Sequence, residues 1–168
     1  VASNYARLAG ETRKFRDTFY KTSLPYYVLD RISAQSSTLV STVCMWLADG
    51  TFAAFEGGPA CCPLNCTHVW NYEQQMAYLF PELDRAMRKT DFEVQQTEDG
   101  GIRHRTRLPL AEPREHMVFC DGQLGTVLKA YREHRQSADG RWLKKYWPNI
   151  KKAMEYAAAA YDPNNDGV

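Results

Sequence analysis

Glu56 stands where a β-prone run, Thr51-Phe52-Ala53-Ala54-Phe55, gives way to a loop opening Gly57-Gly58-Pro59. A carboxylate at such a junction can project from a rigid element into a cavity. Glycoside cleavage needs a pair of such groups, one acting as nucleophile or base and the other as proton donor. By position alone Glu56 reads first as an exposed turn residue. The segment from Cys61 to Gln74 is denser: thiols, an amide, an imidazole, an indole and a phenol gather at a helix start. Trp70 and Tyr72 offer flat faces for a sugar ring, while Asn65, His68 and Asn71 suit hydroxyl groups. The same residues equally suit a buried polar helix entry. Further on, Asp121 follows Cys120 at a second loop-to-helix junction, where it caps the helix or lines a pocket facing the Glu56 loop.

Two metal readings arise from the same inventory. Cys61 or Cys62 with Cys66, His68 and Cys120 would make a zinc set, but zinc sites usually carry two short-spaced ligand pairs and only one cluster occurs here. Buried reduced thiols are the more ordinary meaning. Asp162, Asn164 and Asp166 with Gly167 have the first half of a calcium-loop spacing, though a plain turn is the commoner meaning. No cofactor is otherwise called for. The chain lacks a phosphate-cradling glycine motif, a dinucleotide fingerprint and a Gly-x-Ser-x-Gly elbow, which leaves carboxylate hydrolysis as the best enzyme class.

The elements that must position these residues are mostly helices. With 44% apolar residues in 168, the chain can bury one sizeable core. A formal charge of +1 gives no footprint for nucleic acid. No apolar run approaches the roughly 18 residues of a spanning helix. Five Cys in a chain this long make no disulfide scaffold, and reduced cytosolic thiols fit better. Helices are expected from about Asn4 to Tyr20 and after Ser23-Leu24-Pro25, with Ser23 capping and Pro25 in the first turn. Asp49-Gly50 marks a hairpin. A helix from about Thr67 to Lys89, broken near Pro81, follows. A second hairpin is expected at Asp99-Gly100-Gly101, between Phe92-Glu93-Val94 and Ile102-Arg103-His104. Leu124, Val127, Leu128 and Tyr131 then form an apolar helical stripe. Pro148 is expected to open a last helix whose core face is Ile150, Ala153, Met154, Ala157 and Tyr161.

Together these stretches resemble the catalytic region of glycoside hydrolase family 116, the group of non-lysosomal glucosylceramidase and bacterial β-glucosidases. The resemblance rests on Asp49-Gly50-Thr51-Phe52 leading into Phe55-Glu56-Gly57 and on the block from Asn65 to Tyr72. It continues in Leu79-Phe80-Pro81-Glu82-Leu83, Leu128-Lys129-Ala130-Tyr131-Arg132, Trp147-Pro148 and Asp162 to Gly167. It implies that residues 1–168 are one segment of an (α/α)6 barrel, truncated at both ends, in a mainly α protein that also has a β-sandwich domain. It implies β-glycoside hydrolysis with retention, Glu56 as nucleophile, and Asn65, His68, Trp70, Tyr72, Cys120 and Asp121 as sugar contacts. Glucose-binding members carry Asp at the position of His68 and His at that of Cys120, so the sugar is left open. The proton donor falls downstream of Gly167, so the isolated chain would be inactive. A non-catalytic sugar-binding segment and an inverting relative on the same barrel stand as alternatives.

Overall fold

The computed structural model describes residues 2–34, 36–56, 62–110 and 117–167. It is mainly helical, with one small antiparallel sheet. The chain divides into two compact units, Val1–Ser37 and Thr38–Val168. In the first, a 3-10 turn leads into α1 (Tyr5–Tyr20), which buries none of its side chains, and α2 (Tyr26–Ser33) buries only Leu29. The α2 start differs from expectation. Pro25 is the cap itself, extended at ψ 143°, and its carbonyl accepts the Val28 and Leu29 N–H groups, so Ser23 plays no capping part.

After α3 (Ser36–Leu39), the second unit opens with the expected hairpin, β1 (Cys44–Trp46) paired to β2 (Phe52–Ala54) with Met45 opposite Ala53. The Leu47 carbonyl accepts the Gly50 N–H, and Gly50 then adopts φ +85°, where only glycine is comfortable. This is a turn followed by a left-handed residue, the common three-residue hairpin loop. Asp49 secures it by accepting the Thr51 N–H.

The expected helix over 67–89 is three pieces: α4 (Thr67–Trp70), α5 (Gln75–Leu79) and α6 (Pro81–Thr90). The extra break lies at 71–74, where the Glu73 carboxylate accepts the Gln75 and Met76 N–H groups and so starts α5 afresh. The second hairpin is also corrected. Phe92-Glu93-Val94 lies in a π turn (Asp91–Gln95) that continues α6, and only a single bridge, Gln96 to Ile102, flanks the Asp99-Gly100 turn. Burying Phe92 in the core cluster accounts for this, since a helical turn points its ring at Ile102, Tyr146 and Ile150.

The chain ends in a helical hairpin, α7 (Cys120–Gln136) and α8 (Arg141–Tyr161), joined at Ser137 to Gly140 as expected. Pro148 lies inside α8 rather than opening it. The only helix bond it removes is the one to the Lys144 carbonyl, and both residues are exposed, so water can serve that oxygen. The larger surprise is the face of α7. Of the expected stripe only Val127 packs on the core; Leu124, Leu128 and Tyr131 are exposed, Leu128 to 67%, while Gln123, Thr126, Lys129, Ala130 and Glu133 are buried. The buried polar groups find partners: Thr126 Oγ1 donates to the Gly122 carbonyl at 2.9 Å, and Arg85 donates to Glu133 Oε1 at 2.7 Å, while Glu133 Oε2 is left without one among the described residues. On α8, Ile150, Ala153 and Ala157 are buried as expected, whereas Met154 is exposed.

Two apolar clusters hold the second unit. One gathers Phe52, Ala54, Trp70, Met76 and Met87; the other gathers Phe92, Ile102, Ala130, Tyr146, Ile150 and Ala153. Among the described residues, no helix is long and apolar enough to cross a membrane.

Candidate functional site

The site is assembled on an extended strip beside the hairpin. Phe55 prolongs β2 by donating to the Val43 carbonyl at 2.8 Å, which leaves Glu56 as the first residue beyond the paired strand. The chain returns through Leu64 to Thr67, and each residue there takes a separate anchor. Leu64 bridges Thr106, with N–H···O distances of 2.9 and 2.8 Å, and the Thr67 N–H donates to the His104 carbonyl at 2.9 Å.

Asn65, expected as a sugar contact, spends its amide on the fold. Its backbone is left-handed at φ +51° and its amide copies a strand edge. Oδ1 accepts the Ala54 N–H at 2.8 Å, Nδ2 donates to the Phe52 carbonyl at 3.0 Å, and its own N–H donates to the Ala54 carbonyl at 2.8 Å. All these groups are spent on β2. Asn is among the few non-glycine residues that tolerate this conformation.

Glu56 is enclosed, its side chain 13% exposed, and Arg105 meets its carboxylate at 2.9 Å. The Cys62 thiol, followed by the Cys66 thiol and Arg105, outweighs the cost of burial and holds the Glu56 carboxyl down to about 2. Burial and the adjoining Glu56 carboxylate push the Cys66 thiol up, so it stays an S–H donor. Behind it, Cys66 Sγ lies 3.4 Å from His104 Nε2, and Thr67 Oγ1 lies 3.3 Å from His104 Nδ1. One tautomer fits all of these contacts: the Thr67 hydroxyl donates to Nδ1, Nε2–H donates to Cys66, and Cys66 donates to Glu56. This hydrogen-bonded row holds a carboxylate that is ionised at neutral pH at the sheet edge.

Two residues beyond Cys66, His68 Nδ1 bonds the Asp121 carboxylate, and the Tyr72 ring stands edge-on to His68 at 5.7 Å. Asp121 also accepts the Gly122 N–H at 2.9 Å at the start of α7. Burial works against its charge, but the bonds from His68 and Gly122 hold its carboxyl below the ordinary range. Glycine makes this meeting possible. A Cβ on Gly122 would stand 2.2 Å from Thr67 Oγ1, so α4 rests on α7 there. Gly122→Ala should force the two helices apart and cost about 1–3 kcal/mol. A lower urea midpoint at unchanged slope would show this, and an unchanged midpoint would refute it.

Of the two aromatics expected to stack on a sugar, only Tyr72 is available, at 75% exposure. Trp70 is 5% exposed and packs its edge on Phe52 at 5.9 Å, because the short α4 turns it into the core. Cys120 is exposed at the first position of α7. Among the described residues, no three metal-ligating side chains come together. Cys66 is engaged with His104 and His68 with Asp121, and Cys61 and the Gly57-Gly58-Pro59 loop lie outside the described residues. The calcium-like spacing closes on itself: Asp162 accepts the Asp166 and Gly167 N–H groups, and Asn164 donates to Asp166 at 2.6 Å.

No family model matches this chain, and no curated protein matches it. Neither Arg105 nor His104 is among the site residues expected from sequence. Their signal is the alternation over 102–106, where Ile102, His104 and Thr106 are buried while Arg103 and Arg105 face the other way.

Proposed function

We propose that this chain carries the nucleophile half of a retaining β-glycosidase site, with Glu56 as the attacking carboxylate. The observation that supports it is Glu56 itself, ionised at neutral pH, enclosed, and fixed by Arg105, Cys62 and Cys66. In such a reaction the carboxylate adds to the anomeric carbon while an acid protonates the departing oxygen, and water then hydrolyses the glycosyl ester. A weakly basic carboxylate suits both halves: it is charged without help and leaves readily in the second step. The His68–Asp121 pair supplies a donor and an acceptor for sugar hydroxyls, and Tyr72 supplies an apolar face. In this reading the α7–α8 hairpin is one unit of an (α/α)6 barrel like that of glycoside hydrolase family 116. The proton donor then comes from sequence downstream of Gly167.

The test is to trap the parent polypeptide with a 2-fluoro-β-glycoside and to map the adduct by peptide mass spectrometry. The expected adduct is an ester on Glu56. Labelling of another carboxylate, or turnover with inversion and no adduct, would refute the assignment.

A further inference from the structure

The α7–α8 hairpin leaves one broad face open. Leu124, Leu128, Tyr131 and Arg135 follow one another along α7 at i, i+4, i+7 and i+11, and all four are exposed. On α8 the same holds for Lys144, Trp147, Lys151, Met154 and Ala158, at i, i+3, i+7, i+10 and i+14. Both lines stand on the side turned away from the cluster of Ala130, Tyr146, Ile150 and Ala153. The antiparallel crossing makes them neighbours: Tyr161 at the end of α8 donates to the Val118 carbonyl just before α7, and Gln123 donates to the Ala153 carbonyl. The result is one apolar surface of Leu124, Leu128, Tyr131, Trp147 and Met154, with Trp147 55% exposed on it. Scattered exposed apolar residues are ordinary, but five on one face mark the place of a partner.

We propose that this face docks on an anionic lipid surface, with both helices lying in the plane of the interface. Charge selects the partner. From Arg141 to Lys152 stand five Lys and Arg and no Asp or Glu, in a chain whose total charge is only +1. Arg141 and Lys145 are held by Asp139 and Glu93. Lys144 and Lys151 lie one turn to either side of Trp147, and Arg135 closes the α7 line. Glu155 meets Lys151 at 3.5 Å and offsets part of its charge. A lysine stem follows apolar surface while its ammonium reaches a headgroup, and Trp and Tyr join an apolar body to a polar tip. That set suits the boundary between headgroups and acyl chains. A second copy of the chain fits worse, because both faces would bring the same cations. The proposal does not depend on the role of Glu56.

The probe is a vesicle of phosphatidylcholine with about one-third phosphatidylserine, and phosphatidylcholine alone is the reference. Co-sedimentation of the whole chain should show saturable binding at least about tenfold tighter to the anionic vesicle, weakened by added salt. Binding should shift tryptophan emission to the blue, and Trp147→Phe should remove most of that shift. Lys144→Gln together with Lys151→Gln should weaken binding about tenfold or more, and Leu128→Ser should weaken it too. These positions are exposed, so the variants should fold, which an unchanged urea midpoint checks. Equal binding to neutral vesicles, an emission shift retained in Trp147→Phe, or binding that survives loss of the two lysines would overturn the proposal. A dimer that Trp147→Ser dissolves would overturn it by giving the face to a second copy. Loss of vesicle binding in the parent polypeptide would overturn it by giving the face to the rest of that protein.

Discussion

Gln123→Leu is expected to destabilise the chain by about 3 kcal/mol or more, a large share of the margin of an ordinary domain. Gln123 is fully buried, and its amide ties three segments together. Oε1 accepts the Ile102 N–H at 2.7 Å, and Nε2 donates to the Gly100 carbonyl at 3.0 Å and the Ala153 carbonyl at 2.9 Å. Leucine has nearly the same volume and none of these groups. After the change, Gly100 keeps only a longer bond from Gln96 at 3.4 Å, and the Ile102 N–H is stranded in a dry interior. The loss of a buried partner costs more than the loss of an average hydrogen bond, because no water replaces it. Leu124→Gln, one residue further along α7 and exposed, should shift stability by less than about 0.5 kcal/mol. Urea unfolding of both variants checks the pair. A tolerant Gln123 or an intolerant Leu124 would mean that the buried face of α7 is wrongly assigned.

That contrast shows where the sequence is legible. Asp49-Gly50 predicts its hairpin because the turn chemistry is local and Gly50 alone satisfies the backbone. Glu56 follows for the same reason, as the first residue past a short strand. The α7 stripe misleads because periodicity counts apolar residues without knowing the partner. The facing segments present a backbone N–H, three carbonyls and a charged side chain, and those select Gln123, Lys129 and Glu133 for the interior. Trp70 and Tyr72 look interchangeable as sugar platforms until α4 ends between them, after which one points to the core and the other to solvent. Arg105 stayed hidden because its partner Glu56 lies far away in sequence, and only the antiparallel bridge of Leu64 to Thr106 brings the two segments side by side. Asn65 reads as a polar site residue, yet its left-handed backbone puts its amide along β2.

Glu56→Gln in the parent polypeptide is expected to lower kcat by about 10⁴-fold or more, because the covalent route loses its nucleophile. The amide matches the carboxylate in shape, so a loss of this size would not be a packing effect. Arg105 and Cys62 contact Glu56 and act through it, as positioning residues. In the wild type Glu56 is held at about 2, so it stays ionised throughout an assay range and does not set the acid limb of the pH profile. Removing either helper raises that value, since each favours the charged form. Cys62→Ala and Arg105→Gln remove these helpers one at a time. The signature is an acid limb of kcat/KM that moves to higher pH in both variants and further still in the double variant, with activity recovering as pH rises. A merely structural Arg105 would lower activity equally at every pH. The same sign holds for folding: ionised Glu56 adds stability above its ordinary carboxylate range, and that contribution disappears as pH falls through about 2. A pH-independent loss in both helper variants, or a Glu56→Gln protein that retains turnover, would remove Glu56 from the reaction.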